Sequence, residues 1–317
     1  MLASLRRRVT GPVFRWFALA SFISMIVIVL TGAAVRLSGS GLGCPDWPTC
    51  FQHRITSSSS IHSKIEFGNR LVTISLIVII GATFLAAWLR EKRRRDLIIL
   101  SGALVLGVVA DAILGALVVY SELNAYLVSL HMLLSLTMVV LAALLYHHSK
   151  YLYGEGARND VRDPYFRAVA RALWIPFSVL VLTGTATTGS GPHAGNSQGQ
   201  LVARRLPFAL SSAAWVHSLA AVLFIGLVVG LLLAIWRSGA PTALKLGVRR
   251  LVYISLIQAT IGATQYLTHL PAWLVELHVA GAISLTIGLT QFNVRQSARD
   301  RVPGTKRTPL PAAASAA

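Results

Sequence analysis

The sequence predicts an all-α integral membrane protein whose eight transmembrane helices form two parallel four-helix-bundle repeats. Three observations lead to this prediction: the length and number of the apolar runs, the one-sided distribution of lysine and arginine, and an internal repeat. The 317-residue chain is 55% hydrophobic and only 13% charged, which is too apolar for an ordinary soluble domain.

The apolar runs supply the helices. A helix needs about 20 apolar residues to cross a hydrocarbon core of roughly 30 Å, and the sequence offers eight such runs. The first run follows several arginines and lacks a small-residue cleavage site, so we expect it to be retained rather than removed as a signal peptide. The predicted spans are 14–35, 66–89, 97–120, 127–148, 172–190, 213–236, 251–268 and 273–293.

Lysine and arginine are concentrated on alternate loops. With the N-terminus inside, the cytoplasmic segments hold 23 of these residues and the opposite side holds 6. This positive-inside pattern predicts that both termini are cytoplasmic. It also explains the net charge of +18 as a topology signal, so we expect no nucleic-acid partner.

An internal repeat organises the chain. Residues 111–131 and 258–278 are identical at nine of 21 positions, and both stretches end in histidine. The Leu-Thr-Gly run at 30–32 recurs at 182–184. Because each copy holds an even number of helices, both copies enter the membrane from the same side, which makes the repeats parallel. The predicted units are an N-terminal repeat at 1–148, a polar cytoplasmic linker at 149–171, a C-terminal repeat at 172–293 and a tail at 294–317 that is expected to be disordered.

Three histidines are the main candidates for chemistry, because ionisable groups inside a membrane are costly and mark functional sites by default. His131 and His278 occupy matching places in the fourth and eighth helices, and His217 lies at the same predicted depth in the sixth. The repeat places Asn69 opposite His131, as His217 stands opposite His278. Two facing imidazoles among small residues suit axial ligation of a haem. A hydrogen-bonded core histidine is the usual alternative, but three histidines at one depth favour haem.

The N-terminal half predicts a different site. Asparagine is a poor iron ligand, so His131 alone would hold a haem there and leave one axial position open, unless His62 contributes. Glu66 lies three residues before Asn69 on the same helical face, where a carboxyl group can donate or accept protons. The alternative for Glu66 is an interfacial carboxylate paired with a neighbouring basic side chain, Arg70 among them.

Two more pairs of residues lie on the predicted outer side. Cys44 and Cys50 lie in a loop rich in glycine and proline within an oxidising compartment, which predicts a disulfide, with reduced thiols as the alternative. Arg36 and Arg70 are candidates for binding haem propionates, since guanidinium binds carboxylate in a bidentate way. Anchoring at the lipid interface is the alternative for both arginines.

Several of these stretches together resemble the haem A synthase family. The resemblance covers residues 14–293, nearly the whole chain. Any one of the motifs alone would be weak, but their combination is fairly specific. The motifs are TGAAVRLSGSGLGCPDWPTC at 31–50, Glu-Phe-Gly-Asn-Arg at 66–70, the two repeat stretches that end in histidine, and Trp-Val-His-Ser-Leu at 215–219.

The resemblance implies an enzyme that oxidises a ring methyl group of haem O to a formyl group for cytochrome oxidase biogenesis. It implies a haem b between His217 and His278, and a substrate site with His131 as ligand and Glu66 as catalytic residue. The family commonly has histidine where this chain has Asn69, which marks an actinobacterial-like variant. The implied partners are haem O synthase, cytochrome oxidase assembly factors, a membrane electron donor and the lipid bilayer of the plasma membrane; homo-oligomer formation stays open.

Two other functions remain open at this point. One is a two-haem b-type membrane electron carrier with no chemistry on the macrocycle. The other is a haem transporter or assembly chaperone that uses a lone histidine as a transient ligand. An acidic residue beside a half-empty coordination site favours the enzyme, because an electron carrier gains nothing from it.

Overall fold

The computed structural model describes residues 9–44, 46–50, 57–150, 164–193, 195, 203–240 and 242–297. Within these ranges the chain forms nine helices and no β-sheet. The helices are α1 Gly11–Leu37, α2 Ile61–Trp88, α3 Arg95–Tyr120, α4 Ala125–Lys150, α5 Pro164–Ala172, α6 Trp174–Ser190, α7 Leu210–Arg237, α8 Thr242–Leu267 and α9 Ala272–Ser297.

Seven spans of the described chain are long and apolar enough to cross a membrane. They comprise α1 to α4, α7, most of α9, and the stretch Tyr165–Ser190 that joins α5 to α6. The remaining long helix, α8, has 26 residues and packs against α7 and α9, but basic residues near its start and two glutamines lower its hydropathy. The predicted all-α membrane fold is confirmed, and all but the last residue of the predicted span 251–268 lies within the less apolar α8.

The helices extend beyond the apolar runs that predict them. Helix α2 begins at Ile61 rather than 66, and α8 begins at Thr242 rather than 251. The backbone hydrogen bonds of a helix need no lipid, so the helices continue into polar sequence outside the hydrocarbon core.

The predicted polar linker also contains a helix. Helix α5 begins at Pro164, a residue favoured in the first turn. Phe166 and Ala170 of α5 are buried in the hydrophobic core of the second half. The other parts of the predicted linker and tail, 151–163 and 298–317, lie outside the described residues.

The two copies of the repeat contain the same turn between their last two helices. Glu122 and Leu123 have φ angles of 55° and 64°, and their repeat partners His269 and Leu270 have φ angles of 64° and 60°. In each turn the second residue donates its N–H to the carbonyl five residues earlier, at 2.8 Å and 2.7 Å. Left-handed backbone is uncommon for residues other than glycine. Two consecutive cases at matched positions support the predicted repeat.

Each half has its own hydrophobic core, one built mainly from α1 to α4 and the other from α5 to α9. Helices adjacent in sequence pack together in each half, and the halves meet through the pairs α4–α9, α1–α9 and α4–α6. If the halves are exchanged, so that α1 takes the place of α6 and α4 that of α9, the α4–α9 contact stays the same and the α1–α9 and α4–α6 contacts change places. This is the contact pattern expected of two repeats related by an axis between α4 and α9; that the repeats are parallel stays a prediction.

Candidate functional site

The paired histidines of the second half lie on α7 and α9. The ring centroids of His217 and His278 are 6.3 Å apart, with an angle of 85° between the ring planes. Two imidazoles on opposite sides of one metal, each bonded over about 2 Å, have ring centres roughly 6 Å apart. The observed spacing is therefore compatible with one haem iron between the two rings.

Thr183 of α6 orients His217. The Thr183 hydroxyl lies 2.9 Å from the carbonyl oxygen of Val179, to which it donates, and 3.2 Å from Nδ1 of His217. In the tautomer that carries its proton on Nδ1, the ring donates this N–H group to the Thr183 hydroxyl, which keeps its own proton for a carbonyl oxygen of α6. The imidazole lone pair then lies on Nε2, where a metal can bind.

A glycine of a neighbouring helix faces each of the three histidines. A Cβ atom added at Gly184 would lie 3.0 Å from Cε1 of His217, and one added at Gly262 would lie 3.3 Å from Cε1 of His278. At Gly115 the corresponding distance to Cε1 of His131 is 3.5 Å, an ordinary contact. The first two rings thus lie directly against the helix backbone, which limits how far they can move.

The second half also contains buried polar atoms without partners among the described residues. Three of them lie near the α8–α9 turn, namely Nδ1 of His278, Oε1 of Gln265 and Oε2 of Glu276, and a fourth is the Ser255 hydroxyl in the middle of α8. Native proteins satisfy nearly all such groups, so unpaired ones indicate a missing polar ligand or water. The described residues form no group of three or more metal-ligating side chains. A pair of histidines fits a haem, which needs only two axial ligands, better than a bare metal ion.

In the first half, Asn69 occupies the place that His217 has in the second. The Thr31 hydroxyl donates to Oδ1 of Asn69 at 2.7 Å, which matches the Thr183–His217 contact at repeat-related positions. His131 faces a carboxylate instead of a second imidazole, with its Nδ1 2.8 Å from Oδ1 of Asp111 on α3. The two halves therefore share a framework but differ in the groups that surround the histidine.

The four candidate residues lie at similar depths in their helices, as predicted, but deeper than predicted. Asn69, His131, His217 and His278 lie six to eight residues after the first residue of α2, α4, α7 and α9. This is nearly two turns rather than the predicted single turn, because each helix begins before its apolar run.

Glu66 is buried, with 5% of its surface exposed, and both of its carboxylate oxygens have partners. Oε1 lies 2.6 Å from Nη2 of Arg70, and Oε2 accepts the backbone N–H of Cys44 at 2.8 Å. Arg70 also donates to the carbonyl oxygens of Cys44, Asp46 and Thr49. These contacts form what we call the Glu66–Arg70 clamp. The pairing with Arg70 is thus present, while a role in proton transfer stays a prediction.

The clamp holds a loop closed by a disulfide. Cys44 and Cys50 are bonded, with their Cα atoms 4.4 Å apart, so the predicted disulfide is present and the reduced-thiol alternative is not. His62 is also tied to this region, since its Nδ1 lies 2.9 Å from the Ser40 hydroxyl. That contact does not support His62 as a replacement iron ligand.

Arg36 connects the two halves. Its guanidinium donates to the carbonyl oxygens of Thr188 and His193, each at 2.9 Å. Nε2 of His193 in turn lies 2.8 Å from the carbonyl oxygen of Leu270. Backbone carbonyls, and for Arg70 also Glu66, are the observed partners of the two arginines; propionate binding stays a prediction.

Three contacts were not predicted from the sequence, although the residues that make them carry a signal. Asp111 is an acidic residue inside an apolar run, which should by itself have marked it as a candidate. Thr31 and Thr183 precede the glycine in both copies of the Leu-Thr-Gly run. Their contacts with Asn69 and His217 depend on how the helices are rotated, which the sequence does not state.

The fold and the site define a multi-pass all-α membrane protein with a pair of histidines between its helices. Residues 15–64 and 56–290 match the COX15-CtaA family, which is described as cytochrome oxidase assembly protein. The chain belongs to this family, which confirms the predicted resemblance.

Individual relatives carry a more specific name. The chain is 26% identical over 231 residues to a heme A synthase of Bacillus cereus strain 03BB102, covering 70% of this chain and 73% of the relative. It is 35% identical over 106 residues to the heme A synthase of Geobacillus kaustophilus, covering 33% of each chain. It is 34% identical over 136 residues to that of Alkalihalophilus pseudofirmus, covering 41% of this chain and 45% of the relative. The chain thus matches only a third to under a half of the length of the last two relatives.

Proposed function

We propose that this protein is a haem A synthase, a membrane oxidoreductase that converts a ring methyl group of haem O to a formyl group. Its family and the names of its relatives support this function. The observation that carries the proposal is the difference between the two halves. His217 and His278 form a pair that can fill both axial positions of a haem. In the first half, Asn69 stands at the repeat position of His217, so His131 has no second histidine opposite it.

The second half would hold haem b. His217 and His278 would hold its iron, and the bound haem would supply one-electron transfer. Thr183 keeps the lone pair of His217 on Nε2, and Gly184 lets the ring lie against α6.

The first half would bind haem O as substrate. His131 would ligate the iron, and Asn69 would leave the opposite axial position free. Overall, the methyl group, two molecules of O₂, four electrons and four protons give the formyl group and three molecules of water. A membrane electron donor supplies the electrons.

Glu66 is the proposed proton-handling residue of this half. It lies three residues before Asn69 on α2, so the two side chains share a face of the helix. Its contact with the Cys44 N–H also connects the carboxylate to the disulfide loop. Glu66 would therefore combine a role in proton transfer with a role in holding the loop.

The proposed setting is the plasma membrane, with both termini in the cytoplasm. The 23 to 6 distribution of lysine and arginine supports this orientation. In this orientation the Cys44–Cys50 disulfide would lie on the oxidising outer side. Haem O synthase and cytochrome oxidase assembly factors are the proposed partners.

Conversion of haem O tests the proposal directly. We expect that co-expression with haem O synthase, in an aerated host that lacks haem A, yields haem A on extraction. The His131→Ala variant should yield haem O only. His148→Ala is the matched control, because it removes a histidine from the far end of the same helix, α4, and should leave conversion unchanged.

The other outcomes identify the alternatives. If haem O stays unconverted although the electron supply is intact, the protein is not a haem A synthase. Two firmly bound haems without conversion would indicate a b-type electron carrier. One loosely bound haem, passed on to another protein, would indicate a transporter or chaperone.

A further inference from the structure

An aspartate and a serine form a chain that ends at His131. Oδ1 of Asp111 on α3 lies 2.8 Å from Nδ1 of His131 on α4, and Oδ2 accepts the Ser135 hydroxyl at 2.6 Å. The Asp111 side chain is 15% exposed and that of His131 is 40% exposed, yet Nδ1 itself is buried. The ring therefore turns its Nδ1 edge to the carboxylate and keeps other atoms accessible.

The contact is close but not fully aligned. Oδ1 and Nδ1 are within ion-pair distance, although their geometry does not meet the angular requirement of a hydrogen bond. The outer torsion of a histidine side chain is soft, so a small rotation of the ring aligns the N–H group with the carboxylate. Binding of a metal at Nε2 would fix the ring in such an orientation.

We infer that Asp111 is a positioning residue that prepares His131 to ligate the iron of the substrate haem. The carboxylate accepts the Nδ1–H group, which places the lone pair on Nε2 and makes the imidazole a stronger electron donor. Stronger donation stabilises ferric over ferrous iron and so lowers the reduction potential. This inference rests on the proposed binding of haem O by His131.

The second half lacks this chain. Gln258 and Ala282 stand at the repeat positions of Asp111 and Ser135. The Gln258 amide packs against Gly281, where an added Cβ atom would meet Nε2 of the amide at 1.5 Å. Nδ1 of His278 has no hydrogen-bond partner among the described residues. The anionic partner is thus specific to the half in which we propose the oxidation.

The cost of the carboxylate also points to a role. Asp111 lies in an apolar span, where a carboxylate is expensive unless it is paired. A purely structural link between α3 and α4 is the alternative. The two roles differ in one measurable respect, because only a positioning role changes the electronic properties of the haem bound to His131.

The test compares Asp111→Asn with wild-type in full-length protein loaded by co-expression with haem O synthase. Two quantities are measured on the haem of the first half: its midpoint potential and its ferrous iron–histidine stretching frequency in resonance Raman spectra. We expect the ferric-to-ferrous equilibrium to shift at least tenfold toward ferrous iron, which is about 59 mV for a one-electron couple. The stretching frequency should fall, because the neutral imidazole binds more weakly.

Asp96→Asn is the matched control. Asp96 also lies on α3 and contacts a histidine of α4, with Oδ2 3.1 Å from Nδ1 of His148. It is fifteen residues before Asp111, about 22 Å along the helix. Its replacement should leave both quantities unchanged.

Ser135→Ala is a second variant that keeps both Asp111 and His131. Without the hydroxyl donor, the carboxylate accepts more strongly from His131, so the potential should move in the opposite direction, below wild-type. If Asp111→Asn fails to fold, the potential of Ser135→Ala tests whether Asp111 positions His131.

An unchanged potential and frequency in Asp111→Asn, or a potential that does not fall in Ser135→Ala, would overturn the inference even if haem O is converted normally. Shifts in the expected directions without any haem A formation would instead support the role of Asp111 and refute the proposed enzymatic function.

Discussion

Glycine decides how closely a histidine ring approaches the neighbouring helix. A Cβ atom at Gly184 would lie 3.0 Å from Cε1 of His217, which is closer than about nine in ten real Cβ contacts. Its repeat partner in the first half is Gly32, where an added Cβ meets nothing within 4 Å. The same glycine therefore has a steric role in one half and none in the other.

This difference predicts opposite results for two identical substitutions. Gly184→Ala should displace the His217 ring by a few tenths of an ångström and disturb its contact with Thr183. We expect the low-spin haem b signal in reduced-minus-oxidised spectra to fall to roughly half or less, since loss of a ligand-orienting contact costs about tenfold or more in affinity. Gly32→Ala is the control and should keep the wild-type signal. A full low-spin signal in Gly184→Ala would contradict the assignment of His217 as a ligand.

At the scale of elements, the disulfide loop is held to α2 by the Glu66–Arg70 clamp. The two side chains are only 7% and 14% exposed, so water screens their interaction little. The sulfur-bearing residues Cys44 and Cys50 are fully buried. Reduction of the disulfide therefore requires the loop to open locally, and the clamp opposes that opening.

The clamp can be tested through the disulfide. Glu66→Gln removes the negative partner of Arg70 and leaves a buried cation, a change that costs about 3 kcal/mol in comparable pairs. We expect a soluble reductant to break the Cys44–Cys50 bond roughly tenfold faster or more, as measured by trapping the thiols with a maleimide.

Lys64→Gln is the control for this experiment, because Lys64 is an exposed residue of the same helix. Equal rates in wild-type and Glu66→Gln would mean that the clamp does not hold the loop. Loss of haem A formation with an unchanged rate of reduction would assign Glu66 a chemical role alone.

At the scale of the whole molecule, Arg36 ties the end of α1 to the second half. Its two hydrogen bonds to carbonyl oxygens cross between the halves at residues 188 and 193. Helices in lipid gain no hydrophobic energy from contacting one another, so polar contacts at their ends matter for association. The joint between the halves thus depends partly on a few charged contacts outside the apolar cores.

Arg36→Gln should weaken this joint. Two hydrogen bonds from a charged donor are worth about 3 kcal/mol together, which corresponds to a lower midpoint of thermal unfolding by about 5 °C. The measurement uses haem-free protein in detergent, so that any propionate contact of Arg36 plays no part. Arg204→Gln, an exposed arginine of the same side, should leave the midpoint unchanged. An unaltered midpoint in Arg36→Gln would show that the halves associate without this contact.

Much of the fold could be predicted from the sequence. The apolar helices and the family can be predicted because hydropathy and motifs are properties of consecutive residues, while the arrangement of the repeats stays a prediction. Helix α5 was missed because its amphipathic nine residues are too short and too polar to resemble a span. The starts of α2 and α8 were placed too late because apolar runs mark the hydrocarbon core rather than the helix.

The sequence by itself determined that this is an all-α membrane protein with many long apolar helices, and it identified the family. It also predicted two repeats, with a histidine pair in one half and a lone histidine in the other. Only the tertiary structure decided which groups meet those histidines. It brought Thr183 to His217 and Asp111 to His131, and it turned Glu66 toward Arg70 and the disulfide loop. The physical reason is that a contact between helices depends on the rotation and offset of each helix, which packing sets and no single stretch of sequence records.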